Sequence, residues 1–587
     1  MNEAALFGPR LDRDGVTFRL WAPAARQVEL VIDHAQNMSR RADGWYELTV
    51  PGATAGTLYR FRIDGELDVP DPASAFQPHD VHGPSEIVNH AFEWKATGWR
   101  GRPWHEAVFL ELHVGTFTPE GTFLAIIDKL DHLVACGITA IELMPIADFP
   151  GSRNWGYDGV LLFAPDSRYG RPEDLKTLID TAHARGLMVF LDVVYNHFGP
   201  EGNYLGRYAP KFFTAAHTPW GSAIDYRVPQ VRAFAIENAV HWLRHYRFDG
   251  LRLDAVHAIV APGEPSVLVD LSRAVGKLAA ETGRMIHLVL ENDANTARLL
   301  DPLKNPPDGR YRAQWNDDYH HAWHVLLTGE SAGYYGDYAG APHAHLARTL
   351  ASGFAFQGEA SRHRDGAPRG EPSGELPPTA FVDFVQNHDQ IGNRPLGDRL
   401  TTLVPEAAVE AALAVTLLTP MPPLMFMGEE WGATQPFPFF CDFSGDLAEA
   451  VRRGRNSEFA EAYALGSKWP DPLAEETFRS AVLDWSAPAR EPHRRRLEFV
   501  RRLLKIRRSE ILPRLAAMRG GAGQAQHDGG VITAEWRLGD GSRLALMANL
   551  APAPAARPRA FAGRPIWDGA PAEELEAWAV HWAIGDA

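Results

Sequence analysis

The chain of 587 residues carries a formal charge of −16 and is 45% apolar, the balance of a multidomain globular protein too long for a single core. That acidity argues against general nucleic-acid binding, which needs a basic surface, and no apolar run approaches the roughly 20 residues that span a bilayer. Only Cys136 and Cys441 are present, so a disulfide framework and a cysteine-rich zinc site are excluded by count.

The first residues hold no basic segment followed by an apolar core, so no secretory signal is recognised and a cytoplasmic location is expected. From residue 11 to about 95 short alternating strands predominate. Val16, Phe18 and Leu20 share one face, and Val28, Leu30 and Ile32, then Trp45 to Val50 and Leu58 to Ile63, repeat the pattern, with Asp43-Gly44 and Asp64-Gly65 as turns. This spacing predicts an immunoglobulin-like, glycan-binding-module-like β-sandwich over residues 1–97, ended by a linker at Gly98 to Trp104.

Thereafter strands alternate with helices. The predicted strands are Ala107 to His113, Ile138 to Met144, Leu187 to Val194, Phe248 to Val256, Met285 to Leu290, Ala313 to Trp315, Phe381 to Asn387 and Leu424 to Met427. Helical patterns cover Phe123 to Cys136, Pro172 to Arg185, Val228 to Tyr246, Pro265 to Thr282, Pro405 to Leu418 and the basic run Arg494 to Arg508, whose apolar residues fall on one face. Eight such units over residues 98–512 predict a (β/α)8 TIM barrel, with a doubly wound sheet as the rival. Ser352 to Pro378, rich in Gly, Pro and Arg, reads as a mobile surface element, with Phe354 and Phe356 either lining a groove or anchoring the loop. Strands return in Val531 to Leu538 and Arg543 to Asn549, giving a small C-terminal β-domain at 513–587. The class is therefore α/β.

Charged residues gather where these strands end: Asp192, Asn196 and His197 for the third, Arg252 and Asp254 for the fourth, Glu291 for the fifth, His388 and Asp389 for the seventh, Glu429 and Glu430 for the eighth. The carboxyl ends of barrel strands form the face where active sites sit. An arginine and an aspartate on one inward strand face are too polar for a core unless paired with a task. Asp254 and Glu291 end neighbouring strands, about 4.8 Å apart, within reach of the carboxyl separation of about 5 to 5.5 Å used by retaining glycosidases. Arg252 favours an ionised Asp254, suited to a nucleophile. Glu291 follows a largely apolar run and has no adjacent cation, so burial and the nearby carboxylates favour a protonated general acid. Asp389 then adds negative charge near a cation-like transition state, and His197 and His388 donate hydrogen bonds to the sugar. Flat aromatic rings with polar edges suit sugar faces, although packing uses most of them. No His-Glu-x-x-His motif and no Walker-type phosphate loop occurs, and Asp192 with Asn196 lacks a full oxygen shell for calcium, so no metal and no cofactor is expected.

The ordered segments Asp192 to His197, Gly250 to Asp254, Glu291 to Asp293 and Val385 to Asp389 resemble the α-amylase superfamily of retaining glycoside hydrolases. The resemblance implies Asp254 as nucleophile, Glu291 as general acid/base and Asp389 as transition-state stabiliser, and Tyr157 looks like the aromatic that stacks under the sugar at the cleavage point. Glu111 to Gly121, Asn154 to Val160, Trp315 to His321 and Met427 to Gly432 are similar to the trehalohydrolase branch, which cuts the α-1,4 bond next to the terminal trehalose of maltooligosyltrehalose. That implies α-glucan substrates and a maltooligosyltrehalose synthase as pathway partner, with Arg455 to Phe459 less basic than the branch pattern. A branching enzyme would share the four segments and transfer the glycan, a debranching enzyme would cut α-1,6 bonds, and a protein of another class would bind glycan without turnover.

Overall fold

In the computed structural model, which describes residues 6–13, 15–218, 221–259, 266–304, 307–462 and 469–586, the N-terminal alternation produces two antiparallel sheets. Gly15–Trp21 and Trp45–Val50 lie at the centre of one, and Val28–Val31 with Leu58–Ile63 at the centre of the other. The inward residues of both meet in a core where the rings of Phe18 and Tyr59 touch edge to face at 4.9 Å. Phe7 against Phe234 and Trp21 against Phe212 join this sandwich to the next unit.

That unit is a closed barrel of eight parallel strands: β1 (Phe109–Leu112), β2 (Ala140–Leu143), β3 (Met188–Val193), β4 (Gly250–Leu253), β5 (His287–Leu290), β6 (Ala313–Trp315), β7 (Phe381–Phe384) and β8 (Pro423–Phe426). Closure by Phe109 pairing with Leu424 removes the doubly wound alternative. Both faces of each strand are buried, as parallel strands wrapped by helices require. Phe109, Ala140, Phe190, Val289, Ala313, Phe384 and Leu424 pack in one apolar cluster, and the next inward positions upward include Glu111, Glu142, Asp192 and Arg252. Gly250 is glycine for space: a Cβ there would lie 2.2 Å from the Phe190 ring and 2.4 Å from the His287 carbonyl oxygen.

Asp249, fully buried just before β4, fastens the floor of the barrel. Its carboxylate accepts from Trp99 Nε1 (2.7 Å), His183 Nε2 (2.8 Å) and the Val189 amide (2.9 Å), and Arg284 lies 3.8 Å away. Burial would push this carboxyl up, but His183 and Arg284 outweigh it and hold it below the ordinary range. The segment expected to be a linker is therefore tied to the barrel through Trp99. Asp249→Ala leaves these donors without their acceptor and should lower unfolding free energy by about 3 to 5 kcal/mol, the range for breaking a buried pair. Denaturant midpoints measure it, and a loss below about 1 kcal/mol would remove the fastening role.

Three segments differ from expectation. Phe123 to Cys136 is two helices, Phe123–Ile127 and Leu130–Cys136, because the Lys129 amide bonds back three residues to Ile126 and breaks the α ladder. Phe123, Ile126, Leu130 and Leu133 nevertheless form one buried stripe; periodicity reports burial, not continuity of hydrogen bonds. Ser352 to Pro378 is not a loose surface element: Phe354 and Phe356 are buried anchors, the former edge-on to Phe381 at 5.0 Å. The amides of Ala355 and Phe356 both donate to Asp318 Oδ2. The basic run forms His493–Ile506 and continues into a wide turn, Arg507–Ile511, whose buried Arg507 donates to the carbonyls of Leu417, Thr419 and Met421. Pro265, the expected first residue of the helix observed as Val267–Thr282, lies outside the described residues.

The C-terminal strands form a five-stranded antiparallel sheet. Trp536 and Trp582 stack within it, and their indole N–H groups cap the Leu350 and Ala414 carbonyls of barrel helices. Among the described residues, no helix is long and apolar enough to cross a membrane.

Candidate active site

Strand β4 turns Arg252 inward, where its buried guanidinium is the hub of the carboxyl ends. Nη1 donates to Asp192 Oδ2 (2.6 Å) and Asp254 Oδ1 (2.8 Å), and Nη2 lies 2.9 Å from Glu291 Oε2. The register explains the meeting, since Asp192 of β3 is the direct partner of Arg252. Arg252 pairs with Val289 of β5, and Asp254 and Glu291 each stand two residues further on, back on the same face. Trp315 of β6 lies under the guanidinium, 4.1 Å from ring centroid to Cζ, so the cation is held from below as well as from its rim.

Beyond Asp254 the chain turns sharply. Ala255 has φ 39° and ψ 49°, a left-handed conformation that a side-chain-bearing residue adopts only under local constraint. That turn aims the Ala255 amide at Glu291 Oε2, at 2.8 Å. Asp254 Oδ2 accepts from the Asn196 amide at 2.8 Å. His197 Nδ1 is bonded to Asn196 Oδ1 and Nε2 to the Tyr157 carbonyl at 2.9 Å, so His197 braces Asn196 rather than offering both nitrogens to the cleft.

Electrostatics separates the two carboxyl groups. Burial would raise Asp254, but Arg252 and His197, with the Asn196 and Arg252 hydrogen bonds, hold it below its ordinary value. Burial raises Glu291 well above its ordinary value; Arg252 opposes this, and Asp254, Asp317 and Asp389 add to the rise. The sequence-based expectation that Glu291 has no adjacent cation is thus corrected, because strand pairing brings Arg252 to it. The protonated form is still favoured because burial and three acidic neighbours outweigh one shared cation. The Ala255 amide and the Arg252 ion pair both engage Oε2, which leaves Oε1 for a proton. A single guanidinium reaching both carboxylates ties them to one point at the barrel's end, as a mechanism with paired carboxyl groups requires.

On the far side His388 and Asp389 open the helix His388–Gly392, capped by Asn387. Glu111 of β1 binds His388 Nδ1 and, at 3.0 Å, its backbone amide. Burial pulls the imidazole down, yet Glu111 and Asp389 raise it above its ordinary value. Its ring stacks on Tyr157 at 5.1 Å, and Tyr157 donates to Asp192 Oδ2 at 2.6 Å. Asn393 donates to Asp389 Oδ1 at 2.7 Å. Asp254, Glu291, Asp389, Tyr157, His197, Arg252 and His388 therefore meet on one barrel end. Glu429 and Glu430 do not join them: Glu429 accepts from the Phe426 amide, and Glu430 lies 3.5 Å from His132 behind the barrel wall.

Several site residues carried no strand-end signal. A cleft of about 220 Å³ beside Glu291 and Asp389 is walled by Asp293, Asp317, Tyr334, Arg364, Arg369 and Asn393, among others. Arg364 and Arg369 come from the loop expected to be loose; both bind Asp293, and Arg369 also reaches Asp318 at 2.8 Å. Asp317 is pushed up to about 7 by burial and by the acidic neighbours Asp293 and Asp389. The one available signal was Asp317 and Asp318 within Trp315 to His321. The arginines lie in low-periodicity sequence and become site residues only through the Phe354 and Phe356 anchors.

Residues 89–210 match the alpha amylase catalytic domain, 6–75 match carbohydrate-binding module 48 (isoamylase N-terminal domain), and 518–582 match a domain of unknown function. The chain is 43% identical over 541 residues to a malto-oligosyltrehalose trehalohydrolase of Deinococcus radiodurans, covering 91% of this chain and 87% of that one. It is 40% identical over 508 residues to a protein of the same name from Saccharolobus solfataricus, covering 86% and 87%. A crystal structure from Salmonella typhimurium assigned to the alpha amylases superposes with a TM-score of 0.95 at 45% identity, covering 99% of each chain.

Proposed function

This chain belongs to the malto-oligosyltrehalose trehalohydrolase family of the α-amylase superfamily, and from that premise we propose that Asp254, Glu291 and Asp389 carry its hydrolysis. The protein is a retaining glycoside hydrolase that releases trehalose from maltooligosyltrehalose by cutting the α-1,4 bond next to the terminal trehalose. The observation that supports the residue roles is the Arg252 guanidinium shared by Asp254 and Glu291. Asp254 attacks the anomeric carbon as Glu291 passes its proton to the departing trehalose oxygen, forming one carbon–oxygen bond and breaking another. Water then attacks the glycosyl–Asp254 ester, gives its proton to Glu291 and frees the glucan with its anomeric configuration kept. Asp389 places negative charge against the cation-like transition state. Tyr157 stacks under the sugar, and His197, Arg252 and His388 orient it or the groups that touch it.

The substrates are α-glucans, with a maltooligosyltrehalose synthase as the supplier and the cytoplasm as the compartment. The chain divides into a glycan-binding sandwich at 1–97, the barrel at 98–512 and a β-domain at 513–587. The test offers maltooligosyltrehalose, a plain maltooligosaccharide and a branched glucan in parallel. Free trehalose should form from the first at least about tenfold faster than the second is cut, the discrimination of roughly one well-placed contact set. New α-1,6 branches, or debranching of the third, would move the chain to another activity of the superfamily.

A further inference from the structure

The joint between the sandwich and the barrel holds three histidines that the hydrolysis does not use. His90 follows the last sandwich strand, and His241 and His245 stand one turn apart on the barrel helix Pro229–His245. One ring nitrogen from each can be chosen so that all three lie within 4.8 Å of one another. They border a cavity of about 780 Å³, with Glu237, Lys277 and Glu281 at its rim. We propose that His90, His241 and His245 bind one divalent transition-metal ion of the zinc class, clamping the sandwich to the barrel.

Packing alone accounts for the rings but not for their nitrogens. His90 Nδ1 is buried and has no hydrogen-bond partner, a state that buried polar atoms rarely keep. The Nε2 of His241 donates to the Phe163 carbonyl at 3.0 Å, which fixes the tautomer and leaves Nδ1 as a bare lone pair. Metal-bound imidazoles are oriented in this way by a backbone acceptor on the opposite nitrogen. Burial, first, and the neighbouring imidazoles and Lys176, second, pull His90 and His241 well below their ordinary values. Burial with Lys176 and Arg244 brings His245 down to about 4. Metal binds the neutral imidazole, whose unprotonated ring nitrogen keeps its lone pair. Lys176, held on the His90 carbonyl at 3.0 Å, is itself lowered by burial to about 8.

The rings need one adjustment. His90 and His245 stack at 4.2 Å with 24° between planes, so their lone pairs run side by side. His245, at the helix end and only partly buried, has to swing toward His90 and His241. Nitrogens on a tetrahedral ion with bonds of about 2.0 to 2.1 Å stand about 3.3 Å apart, so the set contracts on binding. Three imidazoles leave a fourth position for water, and neutral nitrogen donors select zinc, cobalt, nickel or copper over magnesium or calcium.

The test uses the whole chain after chelator treatment. Zinc titration should show one equivalent bound, and cobalt should give the visible absorption of a four-coordinate nitrogen site. His90→Gln and His245→Gln should each weaken zinc binding at least tenfold, and their trehalose release without metal should match wild type. Zinc should raise the melting temperature of wild type but not of the double variant. Unchanged affinity in the double variant would assign the metal to other histidines and overturn the proposal. So would a cobalt spectrum of six-coordinate aquo character, a reading on wild type that needs no variant to fold.

Discussion

Asp254→Asn and Glu291→Gln should each lower kcat on maltooligosyltrehalose by about 10⁴-fold or more, the scale seen when a group reacting directly with substrate is removed. The two losses differ in kind. Asp254→Asn removes the atom that bonds to the anomeric carbon, so no glycosyl ester can form with any leaving group. Glu291→Gln removes a proton donor, so a glucosyl substrate whose leaving group needs no protonation should still form the ester. The pH profile separates them further. On the proposed roles, activity requires an ionised Asp254, whose pKa is depressed, and a protonated Glu291, whose pKa is raised. Wild-type kcat/KM should therefore fall as pH drops through the Asp254 value and fall again as pH climbs through the Glu291 value. Glu291→Gln should keep the acid limb and lose the alkaline one. Either variant retaining more than about a tenth of wild-type turnover, far above the residue left when a reacting group is lost, would remove its residue from the reaction.

Arg252→Ala should do comparable harm by a different route. It strips the shared cation from Asp192, Asp254 and Glu291, leaving a cluster of acids in a buried pocket. Removing one partner of a buried pair lowers stability by about 3 to 5 kcal/mol, so thermal unfolding should shift along with activity. In whatever fraction folds, Asp254 should titrate higher, and the acid limb of kcat/KM should move toward neutral pH. Arg252→Lys tests whether charge alone is enough. An ammonium is one point of charge and cannot reach Asp254 with one nitrogen and Glu291 with another, nor lie flat on Trp315. It should recover much of the stability while leaving kcat down on the order of 10²-fold, the penalty of misplaced reacting groups. Full activity in Arg252→Lys would reduce the hub to a simple counter-charge.

The barrel was legible because parallel strands buried on both faces are written as short apolar runs between helical repeats, down to Ala313–Trp315. Asp254, Glu291 and Asp389 were legible because strand ends map onto one face of such a barrel. The Arg252–Glu291 contact was not, since adjacency across β4 and β5 is a property of register, and Glu291 has no cation beside it in the chain. The cleft arginines were hidden for a related reason. Arg364 and Arg369 lie more than 70 positions from the Asp293 they bind, in sequence without periodic signal. The histidine cluster left only the i, i+4 spacing of His241 and His245, because His90 lies far from both in the chain.

The clamp between Glu111 and His388 bears on when, during its own synthesis, this protein becomes an enzyme. The two residues are 277 positions apart, and the Glu111 carboxylate holds both the ring and the backbone of the residue next to Asp389. A nascent chain that has completed β4 and β5 already has Glu111, Arg252, Asp254 and Glu291, yet His388 and Asp389 have still to leave the ribosome. At about 5 to 20 residues per second, the roughly hundred residues from Glu291 to Asp389 take several seconds to make. On the role proposed for Asp389, catalytic competence waits for the end of the seventh strand and the closing of the barrel.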